Sequence, residues 1–181
     1  MGDYYIKLVP ETVNKEESRR IADKVIKNLI DKKIILAEQT DCVLGQEKGY
    51  PPAVNSKKVV EDSEHIFSYM TNGLAIEMGK QVFYSDGPDE LRCPNCNHDI
   101  IDVEWGEALS EWVNETGKDK VTCTKCEQAN SISKCIFDPP WAFGEIGFIF
   151  WNWGSCFKGF FLIDLENLTG HKFKEIGRAH V

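Results

Sequence analysis

Two Cys-x-x-Cys pairs, Cys93-Pro94-Asn95-Cys96 and Cys123-Thr124-Lys125-Cys126, supply the residues of this chain whose type and spacing dictate a chemistry. Four thiolates are the donor set of a closed tetrahedral zinc site, and each pair can fold as a tight knuckle whose backbone amides point at the sulfurs. Cys93, Cys96, Cys123 and Cys126 are therefore the expected metal ligands, and Zn2+ the expected structural cofactor. A catalytic zinc keeps a coordination position open for water, and four cysteines leave none, so no catalytic residue is assigned and no enzymatic activity is expected. His98, beside Cys96, is read as a surface histidine. The residue after a knuckle's second cysteine often needs positive φ; Asn97 tolerates it, and Glu127 suits it less well.

Twenty-six residues separate Cys96 from Cys123, so the insert must hold structure of its own. Ile100 to Trp105 reads as a strand, Glu107 to Asn114 as a short helix, and Lys120 to Thr122 as the strand entering the second knuckle. Between Cys93 and Cys135 stand eight acidic residues against four lysines, a balance that repels phosphate. The ribbon is expected to serve as a staple and a protein-docking surface. Nucleic-acid binding is the alternative, with the Lys118 to Lys134 edge available for it.

The whole chain points the same way: 29 acidic and 21 basic side chains in 181 residues give a net charge of -8, where a phosphate-neutralising protein would more often be basic. The chain starts with no basic, long apolar leader, and its first apolar run stops at Pro10, so export is not expected. Seven cysteines without an export signal favour metal binding over disulfides and imply the cytoplasm, with Cys42, Cys135 and Cys156 as free thiols.

The elements that must carry the ribbon begin with a strand over Tyr4 to Val9. Asn14 and Glu17 form a capping pair for an amphipathic helix that repeats Ile21, Val25, Ile26, Leu29 and Ile30. Ile34 to Ala37 suits a second strand. Glu38 to Ser56 is then a loop; its Tyr50-Pro51-Pro52 could close over a ligand, but the stretch reads as a connector. Val59 to Met70 fits a short helix or an extended run. Alternation from Leu74 to Tyr84 across Gly79-Lys80 predicts a β-hairpin.

The aromatic C-terminal third runs through Phe148, Ile149, Phe150, Trp151 and Trp153, bulky on both alternating faces, as befits a central strand of a covered sheet. The tryptophan and phenylalanine cluster reads as core rather than a ligand site. Charges and glycines between Trp141 and Ile163 argue against a membrane span. Phe160, Phe161, Leu165 and Leu168 predict a helix stopped at Gly170, and His171 to Lys174 begins a last strand. Cys156 with His171 suggests a cysteine nucleophile, but no sequence motif accompanies them, and the thiol is read as structural. Ile176 to Val181 matches the codon run ATC GGA AGA GCA CAC GTC, which resembles a short-read sequencing adapter, so residues 176–181 are expected to be a non-native tail.

Cys93-Pro94-x-Cys96, Cys123-x-x-Cys126, the aromatic run Gly147 to Trp153, and Leu168-Thr169-Gly170-His171 together resemble an uncharacterised bacterial zinc-ribbon family over residues 93 to 173. The resemblance implies a metal site and carries no catalytic residue with it. The expected fold is α+β: a mixed or antiparallel sheet with flanking helices over residues 1–175, and an embedded four-cysteine ribbon at 92–134. The expected function is non-catalytic binding of another protein around a structural zinc.

Overall fold

In the computed structural model, which describes residues 3–177, the chain forms two compact units, one made of the residues up to 80 together with those from 144 onward, the other of residues 81–143. The fold is α+β, as expected, with a four-stranded antiparallel sheet, three α-helices and two small two-stranded sheets.

The first unit is organised by the sheet order β2-β7-β1-β8, where β1 is Tyr5–Pro10, β2 Gly73–Phe83, β7 Ala142–Trp151 and β8 Phe173–Gly177. β1 lies antiparallel to β7, with Ile6 opposite Phe150 and Leu8 opposite Phe148, and antiparallel to β8, with Lys7 opposite Ile176. Ile6, Leu8, Phe148 and Phe150 therefore share one face, and all are at most 1% exposed. Helices α1 (Lys15–Asp31) and α3 (Gly159–Thr169) contribute Ile21, Val25, Leu29, Phe161 and Leu165 to the same core. Full burial of each such aliphatic side chain is worth about 1.5–3 kcal/mol over leaving it exposed. The opposite face carries Tyr5, Lys7, Ile149 and Trp151, with Tyr5 edge-on to Trp151 and Ile149 also buried. The aromatic run is core: Phe148, Phe150 and Trp153 are fully buried.

The predicted caps form. The Asn14 side chain accepts from the Glu17 amide at 3.0 Å, while the Glu17 carboxylate turns to Arg20 at 3.1 Å instead of completing the box. Gly170 ends α3 in the left-handed region at φ 82°. Asn152, just beyond β7 and fully buried, accepts from the Tyr4 amide and donates to Asp3 and to the Thr71 carbonyl.

Four expectations are corrected. Ile34 to Ala37 is not a strand but a single bridge from Ile35 to Pro52, because proline has no N–H to extend a ladder. The expected hairpin is one continuous strand, β2, in which Gly79 takes φ 103° without reversing the chain. Ile100 to Trp105 is a turn: the Asp99 carboxylate takes the Ile101 amide, and Val103 closes back on Ile100 at 3.0 Å. Val59 to Met70 is neither a helix nor a strand, but contains a 3-10 turn at Ser63–His65. Of the expected tail, Ile176 and Gly177 pair with Lys7 and Ile6 in β8, while residues 178–181 lie outside the described residues.

The second unit contains β3 (Glu90–Arg92) paired with β6 (Ile136–Asp138), α2 (Gly106–Val113), and β4 (Lys120–Thr122) paired with β5 (Ala129–Ser131). Its core joins Leu91, Ile100, Val121, Ile132, Phe137 and Trp141 to the buried cysteines. Trp141 is stacked between Tyr84 and Phe137, with centroids 4.8 and 4.7 Å away. Among the described residues, no helix is long and apolar enough to cross a membrane.

Candidate metal centre

Each knuckle is built the same way by the chain that enters it. After β3, the Cys93 amide donates to the His98 carbonyl and the Asn97 amide to the Cys93 carbonyl, both at 2.9 Å. After β4, the Cys123 amide donates to the Gln128 carbonyl and the Glu127 amide to the Cys123 carbonyl, both at 3.0 Å. The matched turns force Asn97 and Glu127 into the left-handed region at φ 57° and 58°. Both places are those where the sequence called for positive φ.

The turns face one another and bring four sulfurs together, all within 4.8 Å. Cys93 Sγ lies 3.7 Å from Cys126 Sγ, and Cys96 Sγ 3.6 Å from Cys123 Sγ. These gaps are far beyond a disulfide bond of about 2.05 Å. A tetrahedron with metal–sulfur bonds of about 2.3 Å has sulfurs about 3.8 Å apart, close to the 3.6 and 3.7 Å of these two pairs. Four close cysteines of this geometry could bind a metal ion.

The electrostatics fit a cation. The Cys126 amide, against the effect of burial and with help from the Lys125 amide, lowers the Cys123 thiol to about 6. Burial works to raise Cys93, but the Asn95 and Cys96 amides outweigh it and leave it below the ordinary thiol value. The Gln128 amide favours the Cys126 thiolate, yet burial and the three neighbouring sulfurs push it up to about 12. Four thiolates at this spacing repel one another, and a bound dication would remove that cost. Cys93 and Cys123 are buried, and Cys96 and Cys126 half-buried.

Two features were not legible beforehand. Asn130 on β5 lies with Nδ2 4.0 Å from Cys93 Sγ and accepts from Asn95 Nδ2 at 3.0 Å, tying the second half of the site to the first knuckle. Cys135 is a buried neighbour whose thiol burial, followed by the charges of Cys93 and Cys123, raises to about 11. No spacing rule pointed to either residue.

Among the described residues the cluster of candidate ligands consists of the four cysteines, without His98. Cys156 and His171 share no hydrogen bond among the described residues: the Cys156 sulfur is 4.0 Å from Ser155 Oγ, and His171 Nδ1 is 3.0 Å from the Glu11 carbonyl oxygen. Comparison with protein-family models, curated proteins and solved structures found no match.

Proposed function

We propose that the protein holds one structural zinc ion on Cys93, Cys96, Cys123 and Cys126, and that it acts without catalysis, as a cytoplasmic protein-interaction module. The observation that carries the zinc reading is the sulfur spacing of 3.6 and 3.7 Å, which suits a tetrahedral zinc thiolate. Four sulfurs fill the coordination sphere, leaving the ion to hold the knuckles together. Knuckles, the β3–β6 pair and the β4–β5 pair are short, so the unit depends on its ion in the way small metal domains do.

Charge supports a protein partner over nucleic acid. Residues 81–143 contain twelve acidic and five basic side chains, a net of -7 out of the chain's -8. A zinc ion on four thiolates would add a formal charge of about -2, the sum of the ligand and ion charges. Asp102, Glu104 and Glu107 are exposed around α2. The nucleic-acid alternative relies on the exposed Lys118, Lys120, Lys125 and Lys134.

The zinc reading is tested by loading metal-free protein with Co2+. Tetrahedral thiolate ligand-field bands, one ion per chain, displacement by Zn2+ and loss of binding in Cys96→Ser are expected. An octahedral spectrum, or unchanged binding in that variant, refutes it. The partner reading is tested by comparing zinc-loaded wild type with Glu104→Gln/Glu107→Gln in captures from the native host. A protein retained only by wild type supports docking through the acidic insert, whereas tight, salt-sensitive binding to RNA or DNA with no such protein overturns it.

A further inference from the structure

The segment from Gln39 to Tyr50, read in the sequence as a connector, folds back along the edge strand β2 and builds a groove with α1. Thr40 and Gly49 exchange backbone hydrogen bonds of 2.9 and 2.8 Å, closing the loop between them. Tyr50 and Leu74 exchange two more, each of 2.9 Å. One step further along the edge, Gln46 Nε2 donates to the Ile76 carbonyl at 2.7 Å, so a side chain takes the place of the next ladder bond. The loop is tightly seated, since a Cβ on Gly49 would come within 2.4 Å of Val43 Cγ1 and 2.9 Å of the Leu74 carbonyl oxygen.

Between this loop, α1 and β2 lies a space of about 240 Å³. Its floor is hydrocarbon: the half-buried Ile26 and Ile76 and the exposed Met78 lie over the buried Ala22 and Leu74. Its rim is polar and rich in donors, with Arg19 from α1 and Gln39, Gln46 and Lys48 from the loop. The lone carboxylate of the lining, Asp23, lies 3.6 Å from Arg19. Lys48 has no ion-pair partner among the described residues.

We propose that this groove binds a small amphipathic anion, a carboxylate carried on a compact apolar body. An apolar floor with a few polar groups at the rim is the usual make-up of a small-molecule site. The volume is below the ~300–1,000 Å³ of sites for drug-sized ligands, which sets the size of the occupant. Charge decides its sign: with Asp23 beside Arg19, Lys48 is the uncompensated group, and the amides of Gln39 and Gln46 can donate to an oxyanion. The apolar body would lie over Ile26 and Ile76, with the carboxylate at Lys48. The lining residues all belong to the first unit.

The test uses the zinc-loaded full chain, labelled for amide NMR, titrated with benzoate and with benzamide at constant ionic strength. The two probes share ring and size and differ in charge. Benzoate is expected to shift the amides of Ala22, Gln46, Leu74 and Ile76 along one saturable curve, and benzamide to bind at least fivefold more weakly. Lys48→Glu, at an exposed loop position, is expected to weaken benzoate at least tenfold while leaving the thermal unfolding midpoint unchanged. Non-saturating or scattered shifts, equal affinity for the two probes, or benzoate affinity unchanged in Lys48→Glu would each overturn the proposal.

Discussion

Replacing Glu127 by glycine is expected to tighten metal binding, although it removes a carboxylate one residue from the candidate ligand Cys126. Glu127 is held at φ 58° by the turn that aims the Cys123 and Cys126 sulfurs. A residue with a Cβ pays roughly 1–2 kcal/mol in the left-handed region, and glycine pays none of it. Glycine's greater freedom in the unfolded chain takes back about 0.5–1 kcal/mol, leaving a net gain on the order of 0.5–1 kcal/mol. Asn97 occupies the equivalent place at φ 57°, but asparagine tolerates this conformation, so Asn97→Gly should be near neutral. Neither side chain makes a hydrogen bond or ion pair among the described residues, so backbone strain is the main difference between the variants. If folding of the second unit is coupled to metal binding, the gain appears as an apparent zinc affinity raised by about two- to fivefold. The assay is competition for zinc with a chromophoric chelator at fixed pH. Glu127→Gln serves as the reference, so that loss of charge is matched. Equal affinity of Glu127→Gly and Glu127→Gln, or an equal gain from Asn97→Gly, would refute the strain argument.

Asn152→Ala would remove the partner of the half-buried Tyr4 amide and Thr71 carbonyl, a loss on the order of 1 kcal/mol for each bond, and a denaturant midpoint unchanged from wild type would contradict the assigned bonds. Glu175, opposite Leu8 on β8, has its carboxyl pKa raised by burial, with the Phe157 amide pulling the other way. The folded state thus holds this proton more tightly than the unfolded chain, and the associated stability is present below the ordinary carboxyl pKa and lost as pH rises through the folded value. Glu175→Gln keeps an acceptor for Phe157 and carries no charge, so its stability relative to wild type should rise between pH 4 and pH 7; a gap that stays constant would count against the burial assignment.

The cysteine cluster was legible in the sequence because a knuckle is a local device. Two cysteines three positions apart, a short turn and a positive-φ residue after it involve only neighbours along the chain, so spacing alone specified Cys93, Cys96, Cys123 and Cys126. The same held for α1 and its Asn14 cap, for the Gly170 stop, and for the double-sided apolar run that became the interior strand β7. Where the sequence misled, the deciding partner was distant. Leu74 to Tyr84 alternates like a hairpin, yet β2 runs straight, and nothing near Gly79 announces that β7 is its neighbour. β3 and β6 are three residues each, too short to show a period, and pair across more than forty residues. The groove was least legible: Gln46, Lys48 and Tyr50 look like loop residues until β2 and α1 meet them from elsewhere in the chain. Sequence by itself determined which atoms could hold a metal, since that depends on residue type and local spacing. Tertiary structure decided that four sulfurs meet within 4.8 Å, and that a plain connector walls a cavity, because both depend on contacts between segments far apart along the chain.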